Sequence, residues 1–371
     1  MNILFIQAAN RPNNVNSGSP KRVITKTLIP NSRCKFLTEL GVGKISVRPF
    51  AWHDLITFYR YRNQVVCTDS AQALTHGSPI GPRAFLARLN PAVGVCTCVY
   101  PAEDNMPPLI GQMQYTAGDR SAHIVYFMPG DDLNQPSLSE MLETMASQAG
   151  SWGAFHLLAE AEENSCVMEG LRRSGLSVYA WQRIWKYSPP KNESMDGKKS
   201  SPKGNHEAAL WQPANSIDEV MIRNLYQSLV PPLVQSAEPL TSQRLLGWVY
   251  RQEGEILAYV EGIYGPNGIY FQPLIHPALE NISQVLSGLF DLQKNSSGRP
   301  IYVAIRSYQA WLETILRDLE CEVTPRQALM VKHLVAQQRS MLPIARHSVL
   351  EKYTTEPTVP MVHNATNTTK P

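Results

Sequence analysis

Asn164-Ser-Cys-Val-Met-Glu-Gly170-Leu171-Arg-Arg-Ser-Gly175-Leu176-Ser-Val-Tyr179 is the stretch that decides the fold. It follows a strand-like run from Phe155 to Glu160, and Gly175 stands where a left-handed helix cap is expected. The spacing therefore predicts strand, short helix, strand, with Asn164 as the N-cap. About thirty residues earlier the chain reads Pro129-Gly130-Asp131-Asp132-Leu133-Asn134-Gln135-Pro136-Ser137.

Working outward, the same order of elements occurs twice. The first segment opens Ile45-Ser-Val47-Arg48-Pro49 with Asp54 six residues after Arg48, and the second opens Ala209-Leu-Trp211-Gln212-Pro213 with Asp218 six after Gln212. An amphipathic helix follows each opening, marked by Trp52, Leu55, Ile56 and Tyr59, then by Ile217, Val220, Met221 and Leu225. Three strand-like runs come next: Val93–Tyr100, Leu109–Thr116 and Ala122–Met128, then Leu245–Gln252, Glu255–Tyr264 and Gly268–Ile275. Turns at Glu253-Gly254 and Gly265-Pro-Asn-Gly268 predict antiparallel hairpins. Ser137-Leu-Ser-Glu140 has the form of a capping box, with Leu138, Met141, Leu142, Met145 and Ala149 on one face of the helix it opens. Its counterpart carries Leu279, Ile282, Val285, Leu286, Leu289 and Phe290. A fifth strand, a short helix and a last strand close each segment; Asn164–Ser174 and Leu176–Tyr187 are matched by Ser307–Leu319 and about Glu322–Leu334. This β-α-β-β-β-α-β-α-β order, seen twice, implies an α/β protein with a mixed sheet per segment.

The chain has 371 residues, so two to three domains are expected. Residues 1–43 read as a loose leader, 44–187 and 208–334 as the two folded segments, 188–207 as a flexible linker and 335–371 as a tail. With 43% hydrophobic residues the chain can build a sizeable core, and a net charge of +3 without a dense Lys/Arg stripe argues against nucleic acid. No apolar run reaches membrane-spanning length, and the N-terminus is a poor signal peptide, so a cytoplasmic, reduced protein is expected. The six cysteines form no CxxC pair; Cys96 and Cys98 read as two small core residues on one strand face. The nine histidines lack metal-ligand spacing.

The element order resembles the GNAT (N-acetyltransferase) superfamily, and its doubling resembles the tandem members. The fold expected is α/β: two tandem GNAT-like acyl-CoA N-acyltransferase units, each a mixed, mostly antiparallel sheet flanked by helices. The Arg48-Pro49…Asp54 opening and the Asn164…Gly175-Leu176 closing carry the resemblance, although Leu176 replaces the usual Phe. It implies acetyl-CoA or another acyl-CoA as co-substrate and a small-molecule or peptide amine as acceptor, with no membrane partner. It also implies that acyl-CoA lies where the fourth and fifth strands splay, its pantetheine arm bonded to backbone of the fourth strand like an added strand. In the first segment that backbone is Tyr126, Phe127 and Met128, with Asn164 nearby; in the second it is Tyr270–Leu274, where Pro273 has no N–H to offer.

The phosphate loop departs from the family pattern. Glycines normally let backbone N–H groups close on the pyrophosphate. Here Asp131 and Asp132 stand in that place in the first segment, and His276-Pro-Ala-Leu-Glu-Asn281 in the second. The two aspartates also read as a solvated turn. The usual acid, a Tyr seven residues after the motif Asn, is replaced by Leu171 and by Thr314. Tyr179 is the candidate substitute and Glu160, at the exit of the fifth strand, the candidate base, with Glu162, His123 and Tyr126 as further ionisable groups. Residues 67–92 read as an insertion placed to cover the acceptor pocket. The alternating Trp181, Arg183 and Trp185 read as a seam between the segments. Two functions follow: an N-acyltransferase with its cofactor in the first segment, or a tandem GNAT-like binding or scaffold protein without catalysis. A different α/β fold matched by coincidence is the third reading.

Overall fold

A computed structural model describes residues 47–78, 93–102, 107–130, 133, 136–188, 210–240 and 247–334. The first half comprises β1 (Arg48–Pro49), a 3-10 turn (Trp52–Asp54), α1 (Leu55–Tyr61), β2 (Val66–Cys67), α2 (Ser70–His76), β3 (Val93–Tyr100), β4 (Leu109–Thr116), β5 (Ser121–Met128), α3 (Pro136–Trp152), β6 (His156–Glu162), α4 (Cys166–Arg173) and β7 (Ser177–Tyr187). The second comprises β8 (Trp211–Pro213), α5 (Glu219–Leu229), α6 (Pro232–Ala237), β9 (Gly247–Gln252), β10 (Glu255–Tyr264), β11 (Ile269–Ile275), α7 (Ile282–Ser297), β12 (Ile301–Arg306), a 3-10 turn (Ser307–Gln309), α8 (Leu312–Asp318), β13 (Glu322–Val323) and β14 (Gln327–His333). The expected order is present twice.

The repeat is visible in its capping aspartates. Asp54 accepts from the amide of Ala51 (2.8 Å) and takes a bidentate fork from Arg48 (2.6 and 2.7 Å). Asp218 accepts from the amide of Asn215 (3.0 Å), and its guanidinium partner is Arg251, from β9. Burial pulls the Asp54 carboxyl upward, but the Arg48 and Ala51 bonds outweigh it and hold the group below the usual carboxylate range.

The expected two sheets are one. The strands run β1-β3-β4-β5-β6-β14-β7-β12-β11-β10-β9-β8. Among the described strands, only the pairs β5–β6 and β11–β12 are parallel. The last strands have changed places: β14 of the second half lies antiparallel on β6, and β7 of the first half lies antiparallel on β12. β7 and β14 pair with each other, so the strand carrying Trp181, Arg183 and Trp185 is the seam. Among the described residues, no helix is long and apolar enough to cross a membrane.

Helices α3 and α4 cover the first half through Leu138, Met141, Leu142, Met145 and Leu171, with Cys96 and Cys98 in the same core, Sγ–Sγ 3.5 Å apart. Helices α7 and α8 cover the second through Val285, Leu286, Leu289, Phe290, Leu312 and Leu316. Two expectations change. Ser137 is not an N-cap: it is the second residue of α3 and is buried. The first helix packs the part-buried Phe58 and Tyr61 against β3–β5 and leaves Ile56 and Tyr59 74% and 68% exposed, with Trp52 of the preceding turn 81% exposed. The same rotation occurs in α5, where Ile222 and Leu225 are buried and Ile217 and Val220 exposed.

Candidate functional site

Alternation along β5 and β6 sets the first possible site. The two strands pair only over Ser121–His123 with His156–Leu158 and part beyond that point. β11 and β12 likewise pair only over Ile269–Phe271 with Ile301–Val303. Both halves therefore splay at the place where the lane is expected.

The first lane is filled by the chain itself. β2 pairs antiparallel with β5, Val66 opposite Phe127 and Cys67 opposite Tyr126. The Gly130 amide donates to Gln64 O (2.7 Å), the Thr68 amide to Val125 O (2.9 Å) and the Glu160 amide to Thr68 O (2.9 Å). Thr68 Oγ1 also donates to Ile124 O at 2.9 Å, and Thr68 is 1% exposed. Residues 64–68 thus make the strand addition assigned to pantetheine. The expectation that Tyr126, Phe127 and Met128 offer a free backbone edge is corrected: all three are fully buried, and β2 already pairs with Tyr126 and Phe127.

The second lane is left with fewer groups. Ile269 donates its amide to Pro300 O, toward β12, so by strand alternation Phe271, Pro273 and Ile275 turn the same way. Pro273 lies opposite Val260 in the β10–β11 ladder and is tolerated there because its missing N–H faces the gap. Gln309 Nε2 donates to Ile275 O at 3.3 Å. The loop before α7 closes on itself, with Leu279 N donating to His276 O and the amides of Gln284 and Val285 donating to Asn281 O. Asp131 and Asp132 lie outside the described residues.

The closing motif is a structural device. Ser165, rather than Asn164, is the N-cap of α4: its Oγ accepts from the Met168 amide at 3.1 Å. Asn164 is an exposed residue at φ 61° one place earlier. At the other end the Gly175 amide donates to Arg172 O and the Leu176 amide to Leu171 O, both at 3.1 Å, with Gly175 at φ 91°. This pair of bonds is a Schellman cap. Leu171 is wholly buried where the usual acid would stand, and Thr314 is exposed.

A chamber of about 390 Å³ lies between the halves. Helix α2 leaves the first lane and packs Ala71 and Leu74 against Tyr270 and Ala304 of the second half. Helix α6 packs Val234 and Ala237 against Leu158 and Tyr179 of the first. The two second helices thus cross over reciprocally, and the chamber lies between them.

Its wall carries Asp69, Asp119, Glu160, Glu238 and Glu261 against Arg120 and Arg306. Arg306 is 4% exposed; its Nη2 donates to both oxygens of Glu238 (3.1 and 3.0 Å) and to Gln272 Oε1 (3.4 Å). Among the described residues, its Nε and Nη1 are buried without a hydrogen-bond partner. Burial alone would lower the Arg306 guanidinium, but Glu238 together with Tyr179, Tyr270 and Tyr308 outweighs it and raises the group above its ordinary value. Glu160 Oε2 accepts from the Ser70 amide at 3.0 Å. Desolvation, reinforced by Asp69, pushes the Glu160 carboxyl up to about 7 against the pull of that bond and of Arg306.

Of the sequence-predicted groups, Glu160 and His123 reach this chamber. Tyr179 stands behind its wall and donates its hydroxyl to Glu238. Burial first, then Glu238, holds that phenol well above its ordinary value. Glu162 is exposed at the strand end. Sequence reasoning missed Asp69, Glu238, Arg306 and Tyr308. The available signal was Arg306 itself, an arginine continuing the apolar run Ile301–Ile305.

Comparison with protein-family models returns no match, and comparison with curated proteins returns none. Among solved structures, the chain is similar to a GCN5-related N-acetyltransferase from Sphaerobacter thermophilus, at 12% identity over 78% of this chain and 95% of that one, TM-score 0.45. It is similar to a tandem GNAT protein from the clavulanic acid biosynthesis pathway, at 12% over 79% and 99%, TM-score 0.42. It is also similar to a GNAT-family acetyltransferase from Colwellia psychrerythraea, at 11% over 78% and 99%, TM-score 0.37. The fold itself is mixed α/β, with the same order of elements occurring twice around one sheet.

Proposed function

We propose that this chain binds a small amine in the chamber between its two GNAT-like halves and that its first half no longer takes acyl-CoA. The observation that carries this reading is the chain's own occupation of the first lane, where residues 64–68 bond to β5 on one side and to β6 on the other. A pantetheine arm there would have to displace those bonds. The chamber itself favours a cation, with five carboxylates against two guanidiniums in its wall. Its volume falls within the range of small-molecule pockets.

A second reading, acyl-CoA-dependent N-acyl transfer to that amine through the second half, is favoured by one observation. The β11–β12 splay reaches the same chamber through Gln272 and Arg306, opposite a Glu160 held near neutrality as a general base would be. Thermal shift and ligand NMR with millimolar acetyl-CoA separate the two. No stabilisation and unchanged acetyl-CoA signals are expected. Saturable binding, followed by acetyl transfer to an added amine, would establish the second reading in place of the first.

A further inference from the structure

We infer that the chamber's ligand is an α-amino acid, its carboxylate received by Arg306 and its ammonium by Glu160 and Asp69. This rests on the chamber being a ligand site. Arg306, in the chamber wall, carries one N–H on Nε and two on Nη1, buried and with no acceptor among the described residues, while its Nη2 is engaged by Glu238 and Gln272. Buried guanidinium donors without acceptors are costly, and an anionic oxygen is the partner they fit best. The chain's own carboxylate, Glu238, is already used on the other side of the group.

The opposite wall calls for a cation. Glu160 and Asp69 approach each other at the start of α2, where the Ser70 amide is bound by Glu160 and the Gln72 amide by Asp69 (2.9 Å). Asp69 raises the cost of ionising Glu160, and an ammonium between them would relieve it. Tyr270 shows how close the two charged walls stand: after burial, its hydroxyl is perturbed by Glu160, Arg306, Asp69 and Glu238 together. A dianionic phosphate would meet five carboxylates, a simple amine would leave Arg306 without an acceptor, and a simple carboxylate would leave Glu160 and Asp69 facing each other. A zwitterion satisfies both walls. Leu158, Val234, Tyr226 and Tyr308 supply apolar surface for a side chain.

The test uses the full chain, the proteinogenic L-amino acids and, for the tightest of them, its decarboxylated amine and its deaminated acid, read by thermal shift and saturation-transfer NMR. The amino acid is expected to bind at least about tenfold more tightly than either analogue. Arg306→Gln should abolish the preference over the amine, and Glu160→Gln the preference over the acid. If Arg306→Gln fails to fold, Glu160→Gln and the analogue series decide the matter. An amine that binds as tightly as its amino acid overturns the inference and leaves the chamber reading standing. Failure of both amino acids and amines to bind overturns the chamber reading with it.

Discussion

Glu160 at the end of β6 and Arg306 at the end of β12 face one chamber from corresponding strands of the two halves. Glu160 lies four residues beyond His156, which opens the first parallel ladder opposite Ser121, and Arg306 lies five beyond Ile301, which opens the second opposite Ile269. The one-residue offset leaves a carboxylate in the chamber wall from the first half and a guanidinium from the second. The two halves therefore give the chamber walls of opposite charge, which suit the two ends of one zwitterionic ligand.

The Glu160 carboxyl gives a pH signature. Its folded-state value of about 7 exceeds its ordinary 4.5, so the folded chain holds the proton more firmly than the unfolded chain does. Stability from this group is fully present at low pH and is lost as pH rises from about 4.5 through about 7, by on the order of 2 kcal/mol. His156, held below its ordinary value by burial and by His333, contributes with the opposite sign in the same window. The difference between wild type and Glu160→Gln isolates the effect. Urea titrations between pH 4 and 8 should show the variant gaining on the wild type as pH rises; a constant difference would mean that Glu160 is ordinary.

The strap across the first lane rests on Thr68. Its hydroxyl is buried and bonded to Ile124 O, and its amide and carbonyl bridge β5 and β6. Thr68→Val keeps the volume and the backbone bonds but leaves Ile124 O without this donor. A loss of about 1 kcal/mol is expected, measured as a lowered urea midpoint with unchanged slope. A change below about 0.3 kcal/mol would show that the strap holds without that bond.

The two Schellman caps differ in one residue. Gly175 takes the left-handed position after α4, and Glu320, at φ 57°, takes it after α8. There the Glu320 amide donates to Arg317 O and the Cys321 amide to Leu316 O, both at 3.0 Å. An L side chain in this region costs roughly 1 kcal/mol, so Glu320→Gly should stabilise by about 0.5–1 kcal/mol. Gly175→Ala should destabilise by about 1–2 kcal/mol. Thermal denaturation of both variants checks the pair; the same sign in both would contradict it.

This cap also shows what the sequence could reveal. Gly175 announced the end of its helix because glycine is the residue that left-handed backbone favours, whereas Glu320 gave no such signal. Strand order was legible from alternation and from turns such as Glu253-Gly254, both at positive φ. The exchange of β7 and β14 was not. Both strands are apolar enough to lie inside a sheet, and alternation does not say which neighbour a strand takes. The filling of the first lane escaped for a related reason. Backbone pairing needs no particular side chain, so Val66-Cys67-Thr68 carried no mark of the place it would occupy. The chamber draws Asp69, Glu160, Glu238 and Arg306 from four distant parts of the chain, and only the crossed helices α2 and α6 bring them together.

The first helix offers the sharpest contrast between pattern and packing. Trp52, Ile56 and Tyr59 recur at helical spacing, yet each is more than two-thirds exposed, and the buried contacts come from Phe58 and Tyr61 on the adjoining face. The physical cause is the Asp54 cap. Its fork with Arg48 and its bond to the Ala51 amide fix the rotation of the first turn, and that rotation turns the apolar stripe outward. Trp52→Ser and Ile56→Ser should therefore change the stability of the isolated chain by no more than about 0.5 kcal/mol. Ile222→Ala, at a fully buried site in α5, should cost about 2–5 kcal/mol. Chemical denaturation of the three variants is the measurement. A loss above about 1.5 kcal/mol for either serine variant would place the stripe in the core and overturn the assigned rotation.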